Sequence, residues 1–313
     1  MKTSIVLSML ASLAAASGLP AVANAEPLSF VTGGQGGSWY GIGAGMADVF
    51  EKAGVDVSVE IGGGMSNIIA VGRGDSEIGM TNGFAVPMAA KGEAPFAEPV
   101  GGVKALGVFM LSIIQVPVLA DSDVRGYEDL KGKKFCLLPL SASSTIAFQK
   151  VFAAFGMTED DVDFSRGNLG YCVSQMKDRK VIGTSAATAM PVGSFSELAA
   201  SVPVRFLDVD DAALKRIQDE NPAFVRVSMP ADVYRGVGET VATVGTQALL
   251  IANENLPEET AYTLVKAMAE NLEETRGVHS GMEDLSVEGM AAVAGMELHP
   301  GALRYYREVG AVK

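Results

Sequence analysis

The sequence is poor in the side chains that usually carry out chemistry. Histidine occurs twice in 313 residues, at His279 and His299, both close to the C-terminal end. There is no G-x-S-x-G, no C-x-x-C and no H-E-x-x-H, so the usual nucleophilic, redox and zinc constellations are missing, and the reading is of a non-enzyme with no catalytic residue, metal ligand or cofactor. Basic side chains are also scarce, 24 Lys and Arg against 37 Asp and Glu. That balance argues against nucleic acid or an anionic membrane surface as partner, because both reward clustered cations. Two cysteines, Cys136 and Cys172, are too few for a disulfide framework in a chain of this length. They either form one local bridge or lie as two buried thiols. The carboxylate clusters at Asp160, Asp161 and Asp163 and at Asp208, Asp210 and Asp211 sit among charged neighbours and read as solvated surface.

Long apolar runs are absent after the first residues, and no later stretch approaches the roughly 20 needed to span a bilayer. At the start, Lys2 is followed by an apolar run from Ile5 to Ala16, then Gly18, Pro20 and the small triplet Ala23-Asn24-Ala25. This is the layout of a cleavable secretory signal, with the cut expected after Ala25. Export to the periplasm would leave 313 − 25 = 288 residues, with 23 basic against 37 acidic groups once Lys2 is gone, a charge of −14. That length favours two lobes over one core.

Glycine, by contrast, is abundant and grouped. "GGQGGSWYGIGAG", residues 33 to 45, follows the apolar run "LSFV" and contains the single tryptophan. It departs from a dinucleotide fingerprint, since Gly34 and Gly36 are followed by Trp39 at the third position, and it holds no lysine for a P-loop. Alternating short strands and helices follow it, and the pattern occurs twice. The first copy runs through "VDVSVEI", the loop "GGGMSN", a helix to Arg73 and "EIGMT"; the second through "KKFCLLPL", the loop "SASS", a helix to "FAAFG", "VDF", a helix near "GYCVSQMKDRK" and "VIGTS". Gly54 to Gly79 is 25 residues and Gly156 to Gly183 is 27. Two βαβαβ halves predict two α/β lobes, each with a mostly parallel sheet. The β-type runs "LSIIQVPVLA" and "TQALLIA" are placed to cross between them, which divides the mature chain into a discontinuous lobe one, 26–112 plus 246–313, and a lobe two, 113–245. Beyond the return crossing, "PEETAYTLVKAMAENLEET" reads as one helix, and further helices close the chain.

Three loop-to-helix junctions stand out. Gly33 to Ser38 leads into a helix with Ser38 as candidate cap, "GGGMSN" does so before Asn67, and "SASST" does so with Ser141, Ser143, Ser144 and Thr145. Helix starts offer free N–H groups and a favourable dipole to a carboxylate or phosphate. In open α/β sheets such loops lie at the carboxyl ends of strands, where ligands bind. Two facing lobes would bring all three junctions to one cleft.

"TGGQGGSWYGIG" resembles the opening motif of the TAXI group, the solute-binding subunits of tripartite ATP-independent periplasmic (TRAP) transporters, and "LHPGALRYYREVG" is similar to that group's C-terminal segment. "GRGDSEIGM", "AMPVGSFSELA" and "TQALLIANENLPEETAY" follow the expected order between them. The resemblance implies a type II periplasmic-binding-protein fold, acting as a monomer, that captures a small organic anion (a dicarboxylate, 2-oxo acid or glutamate-like compound) and delivers it to TRAP membrane subunits. The nearest alternative is the binding protein of an ABC importer, and a more distant one a secreted hydrolase. The opening motif matches at Thr32, Gly33, Gly34, Gly36, Gly37, Trp39, Tyr40 and Gly43. The family's G-S-x-x-N corresponds to Gly63 through Asn67, with Gly64 where the motif has serine, and later motif positions fall on Thr81, Asn82 and Gly83 and on Ser143, Ser144 and Thr145. The expected ligand contacts are Gly33, Gly34, Ser38, Trp39, Tyr40, Gly64, Asn67, Asn82, Ser141, Ser143, Ser144, Thr145 and the segment Thr188, Ala189, Met190. Trp39 either walls the pocket or supports its helix.

Overall fold

The computed structural model describes residues 26–34 and 37–313. The expected secretory leader and its cleavage point lie outside the described residues, as do Gln35 and Gly36 of the glycine loop.

The first half is built as its apolar periodicity predicts. β1 (Leu28–Val31) leads through the glycine loop to α1 (Ser38–Lys52), β2 (Val57–Glu60), α2 (Met65–Arg73), β3 (Ile78–Asn82) and the short α3 (Ala85–Lys91). β1 lies parallel to both β2 and β3. Two 13-residue strands, β4 (Val103–Gln115) and β11 (Val241–Asn253), then run antiparallel to each other, and β11 is also antiparallel to β3. They are the two crossing strands, and both are longer than the runs that predicted them.

Side chains alternate across this sheet with the period of two that a strand imposes. Phe30 faces one core and Val31 the other; along β11, Ala248, Leu250 and Ala252 share the first core while Leu249 and Ile251 enter the second. Burial on both faces explains why β11 reads as an apolar run from Ala248 to Ala252. The first face is covered by Ile42, Met46, Val49 and Phe50 of α1 and by α8 (Glu258–Glu270) and α11 (Pro300–Glu308). The second face is covered by Met65, Ile68 and Val71 of α2.

The second half holds β5 (Pro117–Leu119), β6 (Lys134–Leu137), α4 (Ser143–Ala154), β7 (Asp163–Arg166), α5 (Leu169–Lys177), β8 (Ala186–Thr188), α6 (Gly193–Ser201), β9 (Val204–Phe206), α7 (Asp211–Glu220) and β10 (Val225–Met229). Here β6 and β7 are parallel, but β5 and β9 are antiparallel, β8 pairs antiparallel with the end of β4, and β10 pairs antiparallel with β11. The expectation of mostly parallel sheets is therefore corrected: the crossing strands bring antiparallel partners into both halves. "VIGTS" is not a regular strand either. Gly183 and Thr184 make single bridges to Val118 and Cys136, and that thin connection joins β6 to β5. The long terminal helix is broken at Asn271, whose φ of −107° and ψ of 42° separate α8 from α9 (Leu272–Gly277); α10 (Val287–Ala291) precedes α11. Cys136 on β6 and Cys172 on α5 are joined, with Cα atoms 5.4 Å apart, which resolves the two cysteines as a bridge rather than as separate thiols.

Candidate ligand-binding cleft

Two chain segments from the first half of the fold and three from the second converge on one cavity of about 370 Å³. From the first half come Gly33, Gly34 and Gly37 to Trp39 at the start of α1, and Ile61 to Gly63 before α2. The second half contributes Leu138, Pro139 and Ser141 to Ser144 at the start of α4, Asn168 and Leu169 at the start of α5, and Ala186 to Thr188 on β8. Apart from β8, these are loops or helix starts next to strand ends, as an open α/β fold places its ligands.

The two sides touch directly across this cavity. Ser143 donates its backbone N–H to the Gly63 carbonyl at 2.8 Å, and Gly64 bridges Ala142 in antiparallel fashion. The approach is possible because neither glycine has a Cβ. One added at Gly63 would lie 2.5 Å from the Ser141 carbonyl oxygen, and one at Gly64, whose φ is +74°, would lie 2.5 Å from Ser143 Oγ. Asn82 adds a hydrogen bond from Nδ2 to Ser143 Oγ, and the hydroxyls of Ser38 and Thr188 bond to each other.

Of the residues expected from sequence, Gly33, Gly34, Ser38, Trp39, Ser141, Ser143, Ser144 and Thr188 line the cavity. The others have different places. Asn67 is buried beneath the loop, where its amide donates to the Val31, Thr32 and Met80 carbonyls and its oxygen accepts from Gly63 N–H. Thr145 donates to the Leu138 carbonyl at 2.8 Å and is fully buried. Asn82 reaches the cleft only through Ser143. Gly64 is one position behind the lining, Tyr40 points to solvent on the exposed side of α1, Ala189 is buried in the core under Gly281, and Met190 lies outside the lining. Ser38 is not the cap that its sequence position suggests: Gly37 occupies that position, and the Ser38 hydroxyl is spent on Thr188. Trp39 combines both readings, since the residue lines the cavity while its side chain, 7% exposed, packs edge-on against Phe109 at 5.9 Å.

Several lining residues carry no sequence signal of binding. Ile61, Leu138, Pro139, Leu169, Ala186 and Ala187 form apolar walls and resemble any core or loop residue in sequence. Behind β8, Gln115 donates to the Thr188 carbonyl at 3.2 Å and accepts from Tyr234 OH, which in turn accepts from Val192 N–H at 2.7 Å. Burial pushes the Tyr234 phenol well above its ordinary range, so it stays a neutral donor at any physiological pH.

None of the lining residues is ionisable. Nothing facing the cavity can act as a general base or bind a metal through a carboxylate, imidazole or thiolate, and the described residues contain no cluster of three such ligands elsewhere. What the cavity offers is hydroxyl and amide groups, helix starts and apolar surface.

A sequence profile of the NMT1-like family matches residues 30–310. Among solved structures, the chain is similar to one described as a periplasmic transporter, at 14% identity and TM-score 0.54, covering 91% of this chain and 92% of that one. It is also similar to a protein from Bordetella bronchiseptica RB50, at 18% identity and TM-score 0.52 over 92% of this chain and 89% of that one. A third is the substrate-binding protein of an amino acid ABC transporter, at 11% identity and TM-score 0.50 over 80% and 96%. At such identities the likeness is one of fold: two α/β lobes joined by crossing strands, the type II periplasmic-binding-protein architecture.

Proposed function

The chain belongs to the NMT1-like family, and on that premise we propose that it is an exported, monomeric, non-enzymatic binding protein that captures a small organic acid between two lobes and delivers it to a membrane transporter. The observation that carries this reading is the cavity of about 370 Å³ formed where loop-to-helix junctions of both halves meet. Lobe one is residues 26–112 plus 246–313 and lobe two is 113–245, with β4 and β11 as the hinge. A carboxylate is received by N–H groups at the helix starts and by the hydroxyls of Ser141 and Ser143. Binding then shifts an open and closed equilibrium toward the closed form.

For the membrane partner we favour a TRAP complex, because "TGGQGGSWYGIG" and "LHPGALRYYREVG" resemble the TAXI group at both ends of the chain. The fold likeness to an amino acid ABC transporter's binding protein supports the second reading, an ABC importer. Capture and partner are tested separately. Thermal shifts of the mature protein with carboxylates should show stabilisation of about 2.7 kcal/mol at 100 times Kd; shifts only with sugars or polyamines would sink the capture reading. Uptake into vesicles reconstituted with the candidate membrane subunits should follow an ion gradient, and uptake that follows ATP would assign the ABC partner instead.

A further inference from the structure

The charge count of the cavity narrows the ligand class, and this step rests on the capture reading above. A dicarboxylate enclosed between two lobes brings two negative charges out of water, and each needs its own set of donors or a cation. The lining holds no Lys, Arg or His. Arg166 reaches it only through the Leu138 carbonyl, at 3.3 Å, and its charge is already paired with Glu159. Several polar side chains already have partners, as acceptors or donors. Ser38 and Thr188 bond to each other, Ser143 accepts from Asn82, Ser144 exchanges hydrogen bonds with the Ala187 backbone, and Asn168 caps α5 through its carbonyl oxygen. The remaining donors are the helix starts, the exposed Ser141, the Asn168 amide and the buried, unpartnered indole N–H of Trp39; all are neutral, and none supplies the cation that would offset a second negative charge.

The rest of the surface is apolar, and that character continues around the mouth. Among the described residues, three exposed large hydrophobic side chains lie in or near lining segments: Ile61 within one, Leu140 between Pro139 and Ser141, and Tyr171 two positions after Leu169. Apolar groups left in water at the lips of a cleft gain most when a ligand with an apolar body is enclosed. We infer that the ligand is a monocarboxylate with a compact apolar body, branched-alkyl or aryl, rather than a dicarboxylate or a glutamate-like zwitterion.

Calorimetry on the purified mature protein tests this with five probes: phenylacetate and 4-methyl-2-oxovalerate as apolar monocarboxylates, glutarate and 2-oxoglutarate as dicarboxylates, and phenylacetamide as the uncharged counterpart. At least one monocarboxylate should bind ten or more times tighter than either dicarboxylate, and phenylacetamide at least ten times weaker than phenylacetate. Equal or tighter binding of a dicarboxylate overturns the inference while leaving capture of an organic acid standing. Equal affinity for phenylacetamide overturns the anionic half of it. Absence of binding by all four acids overturns both this inference and the capture reading.

Discussion

Asn82, the last residue of β3, donates a buried 2.7 Å hydrogen bond to the hydroxyl of Ser143, the first residue of α4, linking the two sides of the cleft. Together with the Ser143 N–H to Gly63 carbonyl bond and the Ser38 to Thr188 hydroxyl pair, it joins the two sides directly. Each such bond contributes about 1 kcal/mol net. Direct contacts of that size between the two sides are small enough for a bound ligand to outweigh.

Gly63→Ala should therefore block closure while sparing the fold. Its Cβ would meet the Ser141 carbonyl oxygen at 2.5 Å and carbon at 2.9 Å, which are backbone atoms that have no rotamer to escape into, whereas its contact within the first half, Ser66 Oγ at 3.2 Å, is a side chain that can turn. The expected result is a stability change under about 1 kcal/mol, a larger radius of gyration by small-angle scattering, and at least a tenfold loss of affinity for whichever acid binds the parent. Unchanged scattering and affinity would show that the two sides do not need this approach.

Asn67→Ala should do the reverse. With Asn67 only 1% exposed and bonded to three carbonyls and the Gly63 N–H, its removal strands buried backbone groups, at a cost of about 3 kcal/mol in stability. Ligand affinity measured below the lowered melting point should change less than threefold. A large affinity loss at full stability would return Asn67 to the contacts expected from sequence.

Asn67 also marks where sequence reading reaches its limit. Its place at a glycine-rich helix start is local information, and local information was enough for β1, α1, α2 and β3, for the three junctions and for the first four elements of the second copy, but not for its last strand. Whether its amide faces ligand or the strand beneath depends on Val31 and Met80, which are set by packing over 36 and 13 residues. The same holds for Ser38, whose position suits a cap but whose hydroxyl finds Thr188 150 residues away. The antiparallel partners β8, β9 and β10 escaped notice because short strands of three to five residues leave too few alternations to read. Apolar cavity walls escape for another reason: Leu138 or Ala187 looks alike in sequence whether it faces a core or a ligand.

Acid should destabilise the protein in two stages. Burial lowers the pKa of both His279 and His299 below the ordinary 6.5, so the unfolded chain takes up protons that the folded one refuses. Their contribution is intact above pH 6.5 and is lost as pH falls through that value toward their folded pKa. The second stage comes from carboxylates held low by cations, led by Asp161, which Lys131 brings down to about 2. Their contribution is present above the ordinary carboxylate range and is lost as pH drops toward 2. Melting temperatures from pH 8 to 3 should show the first decline, and a double variant His279→Gln, His299→Gln should remove it while keeping the second. A first decline that persists in the double variant would assign it to other groups.

The bridge between Cys136 and Cys172 should matter for stability more than for binding. It closes a loop of 36 residues in sequence, for which chain entropy gives about 4 kcal/mol of stabilisation. It ties β6 to α5, and α5 presents Asn168 and Leu169 to the cavity from its first turn, while Cys172 lies one turn further on. Replacing both cysteines with alanine should thus lower the unfolding free energy in urea by 2 to 5 kcal/mol, yet leave the ligand dissociation constant within about fivefold. The reduced wild-type protein should behave like the double variant. If binding is lost while the urea midpoint holds, the bridge sets the shape of the cleft and not the cohesion of the second half.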